Sequence, residues 1–252
     1  MIPSGFITDI IKRTAKFISP KTICVDVSKG LDKKTLELTT TVFKKFLPSN
    51  SQPFITAISG PAVAVDMVKG GFTAMNISSK SKEAVKLVKK VLCNDNLRLK
   101  ETPDLIGTEI AGSFKNIYAM AIGIADYYEW PMNTKATIIV LAIQEMTAMI
   151  KKMGGHEKTA TDLAGLGDLI CTALSNQSRN RRFGQCFPKY LNKELAAKEI
   201  GQVVEGIEAC KITLALAKKY KTKMPLAQTI YQIVWKNANP ESSLKKLLKQ
   251  SF

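Results

Sequence analysis

The sequence predicts an α/β unit followed by an all-helical unit, with the boundary near residue 105. Up to that point, short β-branched runs alternate with helical patterns, which is typical of a sheet of mainly parallel strands joined by helical crossovers. From Gly107 onward no such run recurs, and the apolar periodicity is helical over long stretches. We therefore expect an α/β domain with a mainly parallel sheet over 1–105 and an all-helical domain over 106–252.

The first unit is predicted to contain four strands. The first three are short runs that contain β-branched residues and are bounded by turn signals, at 22–27, 54–58 and 72–77, and residues 97–100 are the candidate for the fourth. Helical spacing of apolar residues predicts helices at 5–18, 36–46 and 82–92, with another after the Gly60-Pro61 turn.

The second unit begins with a helix over 108–128 that is apolar nearly all round, as buried helices are. Asn133 is the predicted N-cap of the next helix, which runs to about Met153 and ends at Gly154-Gly155. Further helices are expected at 205–220, 226–236 and 242–248, the last two as a closing hairpin.

Charge is high but evenly distributed. The 252 residues carry 37 basic and 21 acidic side chains, a net charge of +16. Residues 1–105 have 17 basic and 9 acidic side chains and the remainder has 20 and 12, so each part carries +8. A charge of this size raises nucleic acid or an anionic membrane as a partner. Because there is no basic tail, we expect no nucleic-acid partner.

Cysteine and histidine usage excludes several classes of site. The five cysteines are widely spaced without a C-x-x-C pair, which favours free thiols in a reducing cytoplasm over disulfides or zinc. The single histidine, His156, is predicted to lie in a loop, and a Ser-His-Asp triad or a multi-histidine metal site is not expected. No apolar run approaches membrane-spanning length, and the start lacks a signal-peptide pattern, so we predict a cytoplasmic protein.

The most informative stretch is 165–184. Asp168 and Thr172 are one helical turn apart, so their side chains can point the same way. Ser178, Arg179 and Asn180 follow as a hydroxyl, a planar cation and an amide, the donors that a phosphate or carboxylate prefers. The alternative for the basic run is a solvated turn.

Three lysines and one acid also require interpretation. Lys29 follows the first strand, at the end of the sheet where α/β proteins bind ligands, but a loop lysine can also be a plain surface residue. Lys115 lies in the buried helix and is either snorkelling or functional. Lys135, at a helix start, opposes the helix dipole, and solvation suffices to explain it; Glu205 at another helix start can be a cap.

These segments together resemble the bacterial-type NAD(P)-dependent glycerol-3-phosphate dehydrogenase family along nearly the whole chain. The matching motifs follow the family's order and spacing: Val27-Ser28-Lys29-Gly30, Ser59-Gly60-Pro61, Gly107 through Lys115-Asn116, Asn133-Thr134-Lys135, residues 164–169, residues 178–184 and Val203-Val204-Glu205-Gly206. The resemblance implies an oxidoreductase that uses NAD or NADP to interconvert dihydroxyacetone phosphate and glycerol 3-phosphate, feeding phospholipid synthesis. The resemblance is also compatible with a homodimer.

The resemblance also implies roles for individual residues. Lys115 is the implied catalytic acid/base, and Asp168 is implied to orient it and to bind substrate. The implied substrate-binding set is Lys29, Gly60, Lys115, Asp168, Ser178, Arg179 and Asn180. The implied cofactor-binding set is Lys29, Ala64, Arg179, Val203 and Glu205, and no metal is implied.

The chain departs from the family pattern in two places. Ala62 stands where the family usually has Ser or Thr, which removes a hydrogen-bond donor worth about 0.5–1.5 kcal/mol. No G-x-G-x-x-G phosphate loop occurs, so the resemblance implies a truncated Rossmann-like parallel sheet followed by a C-terminal multi-helix domain. We expect the first half of the dinucleotide-binding domain to lie before residue 1. The alternative function is therefore a truncated, inactive remnant that keeps at most a phosphate-binding or interaction role.

Overall fold

A single four-stranded sheet forms the core of the N-terminal part. The computed structural model describes residues 6–32, 35–50 and 52–252. The strands are β1 (Cys24–Asp26), β2 (Ile55–Ser59), β3 (Thr73–Ser79) and β4 (Leu97–Thr102), in the order β1-β2-β3-β4. The pairs β1/β2 and β3/β4 are parallel, whereas β2/β3 is antiparallel. The predicted α/β architecture is confirmed, with one antiparallel pair where the chain reverses after β2.

Four helices accompany this sheet: α1 (Ile7–Thr14), α2 (Thr39–Phe46), α3 (Ala64–Val68) and α4 (Lys82–Leu92). The side chain of Ser81 caps α4 by accepting the Ala84 N–H. Val85 and Val88 of that helix pack on the sheet residues Ile58, Ile77 and Leu99. A separate cluster joins α1 to α2, so the helices cover the sheet in two groups.

The C-terminal part is built around α5 (Leu105–Tyr127), of which 20 residues are buried. Seven helices follow it: α6 (Met132–Lys152), α7 (Asp168–Leu174), α8 (Arg179–Tyr190), α9 (Lys193–Ile200), α10 (Glu205–Lys219), α11 (Pro225–Lys236) and α12 (Pro240–Ser251). All of these except α9 pack on α5, which also contacts β2 and β3, while α9 packs on α8. The buried central helix therefore links the sheet to the helical part, and α11 contacts α12 as the sequence predicted.

Of the two predicted ends of α6, the start changes and the C-terminal end is confirmed. The Asn133 N-cap prediction is wrong: α6 begins at Met132 with Pro131 in the N-cap position, and the Asn133 side chain accepts the neighbouring Thr134 N–H. Proline at this position has no N–H to satisfy, and the N-cap lies two residues before the predicted Asn133. The predicted end at Gly154 is confirmed, because its φ of +86° is a conformation that glycine adopts readily.

Helices α5 and α8 approach so closely that glycine is required on both sides. A Cβ on Gly184 would lie 2.1 Å from Met120 O, and one on Gly123 would lie 2.0 Å from Arg181 O. Both distances are far below van der Waals contact. The contact therefore fixes α8, whose first turn carries Ser178-Arg179-Asn180, against the helix that carries Lys115.

We expect Gly184→Ala to lower the free energy of unfolding by about 1–3 kcal/mol, the usual cost of overpacking a core. Chemical denaturation monitored by circular dichroism measures this. Arg182→Ala, an exposed change on the same helix, serves as the control and should shift stability by less than about 0.5 kcal/mol. Equal stability of the two variants would contradict the packing argument.

The structure also tests the predictions about cysteine pairing and membrane-spanning helices. All five cysteines are free thiols in the structure, as predicted. Within the described ranges, no helix combines the length and the apolar character needed to cross a bilayer.

Candidate active site

A cleft of about 570 Å³ opens between the C-terminal helices and the loops that follow β1 and β2. Its walls come from α5, α7, the start of α8 and the start of α10, facing the β1 loop and α3. Eight of the predicted site residues line it: Lys29, Ala64, Lys115, Ser178, Arg179, Asn180, Val203 and Glu205. The other two, Gly60 and Asp168, contact Lys29 from behind the wall.

Asp168 joins the two lysines. Its Oδ2 lies 2.6 Å from Lys29 Nζ, and its Oδ1 forms an ion pair with Lys115 Nζ. Lys115 Nζ also donates to Thr172 Oγ1 at 2.6 Å, and that hydroxyl lies 3.3 Å from Asp168 Oδ1. The predicted one-turn spacing of Asp168 and Thr172 on a helix is thus observed on α7. One carboxylate, 1% exposed, holds both ammonium groups in place.

The two lysines bound to Asp168 differ in pKa. The pKa of Lys115 falls to about 7, because burial and the charge of Lys29 disfavour its ammonium form more than Asp168 favours it. For Lys29, burial also acts to lower the pKa, but the charge and hydrogen bond of Asp168 outweigh it, so its pKa is raised. Lys115 is 5% exposed, which excludes snorkelling. It can release and regain a proton near neutral pH, while Lys29 stays charged.

The start of α8 forms the anion-binding end of the cleft. Ser178 is its N-cap and accepts the Arg181 N–H at 3.2 Å. The first turn of a helix presents N–H groups without intrahelical partners, and its dipole favours negative charge. Arg179 adds an exposed guanidinium to the cleft wall, so this end has the donors that a phosphate requires.

The rest of the basic run has other partners. Arg181 donates through Nε to Asp126 at 2.7 Å, and the same carboxylate accepts from Lys135 at 2.5 Å. Lys135 is therefore held by an ion pair, and the solvation proposed from the sequence is corrected. Arg182 is exposed and lies outside the cleft lining. Of the three arginines at 179–182, only Arg179 lines the cleft.

A chain of side-chain amides ties three helices together beside the cleft. Asn180 Nδ2 donates to Asn116 Oδ1 at 2.9 Å, and Asn180 Oδ1 accepts the Gly206 N–H at 2.9 Å. Asn116 Nδ2 in turn lies 3.5 Å from Glu205 Oε2. The sequence motif marked Asn116 only as the neighbour of Lys115. Its role in holding α5, α8 and α10 together depends on contacts between residues far apart in sequence.

Gly60 has a structural reason to be glycine. A Cβ there would lie 2.8 Å from Met75 Cα, so β3 passes too close for any side chain. The Gly60 carbonyl accepts a hydrogen bond from Lys29 Nζ at 3.3 Å. The preceding residue, Ser59, is buried and donates to Asp168 Oδ2 at 3.4 Å, a contact that sequence reasoning missed. The β2 end thereby supports the Lys29–Asp168 pair.

Comparison with known proteins gives matches along the whole chain. Residues 104–245 match the family model described as NAD-dependent glycerol-3-phosphate dehydrogenase C-terminus, and residues 1–85 match the corresponding N-terminus model. Glycerol-3-phosphate dehydrogenase [NAD(P)+] of Bacillus subtilis is 35% identical over 247 residues, which cover 98% of this chain and 72% of that protein. The Fusobacterium nucleatum protein of the same name is also 35% identical, over 98% and 73%.

Solved structures give the same result. The crystal structure of glycerol-3-phosphate dehydrogenase from Coxiella burnetii matches with a TM-score of 0.93 and 34% identity, covering 98% of this chain and 75% of that one. Glycerol-3-phosphate dehydrogenase from Plasmodium falciparum, at 23% identity and a TM-score of 0.86, shows the shared fold, with 97% and 70% covered.

Proposed function

The chain belongs to the NAD-dependent glycerol-3-phosphate dehydrogenase family, and we propose that its cleft reduces dihydroxyacetone phosphate to glycerol 3-phosphate with NADH or NADPH, and catalyses the reverse. The observation that carries this proposal is the buried Lys115–Asp168–Lys29 arrangement. It supplies a proton donor near neutral pH beside a permanent cation. A carbonyl reduction needs both a proton for the oxygen and stabilisation of the charge that develops there.

Lys115 acts as the general acid in this reaction. As the bond from the transferred hydride forms at the carbonyl carbon, the carbonyl π electrons move onto the oxygen, which takes a proton from Lys115 Nζ. Lys115 becomes neutral and regains a proton from solvent, so each turnover consumes one proton. Asp168 orients the amine of Lys115, and burial together with repulsion from the Lys29 cation keeps the pKa of Lys115 low. In the reverse direction neutral Lys115 is the base.

The phosphate of the substrate is assigned to the start of α8. Ser178, Arg179 and Asn180 provide a hydroxyl, a guanidinium and the amide groups of a helix N-terminus at one end of the cleft. Lys115 lines the same cleft, and Lys29 and the Gly60 carbonyl lie next to it. A three-carbon substrate anchored by its phosphate can therefore place its carbonyl against Lys115.

The nicotinamide cofactor supplies the hydride when it is bound. The residues proposed to contact it are Lys29, Ala64, Arg179, Val203 and Glu205. All five line the cleft. The two cations among these five residues, Lys29 and Arg179, fit a ligand that carries phosphate groups. In this assignment residues 1–105 are the remnant of the dinucleotide-binding α/β domain and residues 106–252 form the substrate and catalytic domain.

The decisive experiment is turnover by the purified chain. Dihydroxyacetone phosphate should cause oxidation of NADH or NADPH, followed by the loss of nicotinamide absorbance, and Lys115→Met should serve as the inactive reference. A folded sample that binds glycerol 3-phosphate in calorimetry but shows no turnover with either cofactor would overturn the catalytic proposal.

The oligomeric state and the cellular location of the protein are also part of the proposed function. We propose a cytoplasmic location and the homodimer that the family resemblance allows. The even +8 charge on each part of the chain supports action without nucleic acid. Light scattering after gel filtration measures the mass. Binding to a DNA duplex at physiological salt tests the partner assignment, and specific binding there would refute it.

A further inference from the structure

Asp26 is a buried acid at the end of β1, directly before the loop that enters the cleft. It is 5% exposed, and its Oδ1 accepts the Ser28 N–H at 2.9 Å and also the Ser28 hydroxyl. No ion pair to its carboxylate occurs within the parts of the chain that the structure describes. Its visible hydrogen bonds thus close a tight turn two residues ahead, the geometry of an Asx turn.

That turn sets the position of Lys29. Lys29 follows Ser28 directly, and its ammonium reaches Asp168 Oδ2 at 2.6 Å and Gly60 O at 3.3 Å. On the other side of Lys29, the Gly30 carbonyl accepts the Thr39 hydroxyl at 3.2 Å. The loop is therefore anchored on both sides of Lys29, by Asp26 before it and by Thr39 after it.

Burying an acid at this position costs free energy, and filling space in the core would not require an acid. Burial raises the pKa of Asp26, and the two Ser28 hydrogen bonds only partly offset this. A second buried acid lies nearby: the pKa of Glu109 rises to about 8 through burial and through the charge of Asp26. An apolar residue would avoid both penalties but would leave the Ser28 N–H without this acceptor.

We propose that Asp26 is a positioning residue, whose hydrogen bonds to Ser28 hold the β1 loop so that Lys29 stays paired with Asp168. Its catalytic consequence rests on the proposed function, because Lys29 acts there beside Lys115. The positional part stands on the contacts alone and can be tested without turnover.

The first test is chemical labelling of Lys29. In the unaltered chain its amine is ion-paired and largely buried, so limiting acylation followed by peptide mass spectrometry should modify it slowly. In Asp26→Ala the labelling rate of Lys29 should rise about tenfold, the effect of losing one charge-assisted hydrogen bond. Asp26→Asn keeps an acceptor oxygen for the Ser28 N–H and should restore slow labelling.

Ser28→Ala removes only the hydroxyl donor and should raise labelling by a smaller factor, which keeps the test decisive should Asp26→Ala not fold. Asn94→Ala is the matched control. It deletes a similar turn, in which Asn94 Oδ1 accepts the Asn96 N–H at 2.9 Å, on an exposed loop away from the cleft. Its Lys29 labelling should stay unchanged. Unaltered labelling in folded Asp26→Ala or Ser28→Ala would refute the proposal.

The second test is the pH profile of turnover. Lys115 faces three titratable groups, Asp168, Lys29 and Cys171. When Lys29 moves away, the repulsion that lowers the pKa of Lys115 weakens, so the alkaline limb of kcat/KM for reduction should move to higher pH in Asp26→Ala. A merely destabilising change would lower the amplitude without moving this limb. If Lys29 is labelled faster in Asp26→Ala but the alkaline limb of kcat/KM does not move, the catalytic part of the proposal is refuted. If the unaltered chain shows no turnover, the proposed function is refuted instead.

Discussion

Lys115→Met should reduce kcat for dihydroxyacetone phosphate reduction by about 10²–10⁴-fold, the range that a general acid contributes. The substitution keeps a long unbranched side chain on α5 but removes the proton donor that contacts both Asp168 and Thr172. KM should change much less, because the phosphate contacts at α8 are untouched. Steady-state kinetics with saturating cofactor measures both constants.

The pH dependence of kcat/KM should follow the protonation of Lys115. With the pKa of Lys115 at about 7, kcat/KM for reduction should be full below neutral pH and fall as the pH rises through that value, because the proton to be donated is lost. Oxidation of glycerol 3-phosphate should show the opposite trend, since it requires the neutral amine.

Lys115→Arg is the informative control for the role of the proton. Guanidinium keeps the positive charge near Asp168 but does not titrate in this range, so the limb near neutral pH should disappear and activity should stay low. A Lys115→Met variant that keeps a tenth or more of kcat, or an unaltered limb in Lys115→Arg, would contradict the assignment of Lys115 as the acid.

Those parts of the site that depend on local spacing were predictable from sequence. Asp168 and Thr172 are four residues apart, and that spacing alone places both side chains on one face of α7. Lys115 was recognisable because a lysine in a helix that is apolar all round must either reach solvent or have a partner. Both signals arise within one element, where periodicity is informative.

Features that depend on contacts between distant residues were not predictable in this way. Sequence gave no sign that Asp126 would pair with both Arg181 and Lys135, and Lys135 was therefore interpreted as solvated. The antiparallel pairing of β2 with β3 depends likewise on how the chain returns after Gly60, which hydrophobic patterning does not specify.

Arg179 and Arg182 should differ strongly in function, as the choice of Ser178, Arg179 and Asn180 as the anion-binding residues predicts. Both are arginines of one basic run on α8, but Arg179 lines the cleft and Arg182 does not. Arg179→Ala should raise KM for dihydroxyacetone phosphate about 10–100-fold, the value of a charge-assisted contact to phosphate, whereas Arg182→Ala should change it less than about twofold.

Dihydroxyacetone, which lacks the phosphate, separates this role from a general loss of structure. If Arg179 binds the phosphate, its removal should, at saturating cofactor, lower kcat/KM for the phosphorylated substrate far more than the low kcat/KM for dihydroxyacetone. Added inorganic phosphate should inhibit the unaltered chain more than the variant. Equal losses on both substrates would instead place Arg179 at the cofactor alone, because a cofactor contact serves both reactions. The ratio of the two kcat/KM values thus decides which ligand the guanidinium at the start of α8 holds.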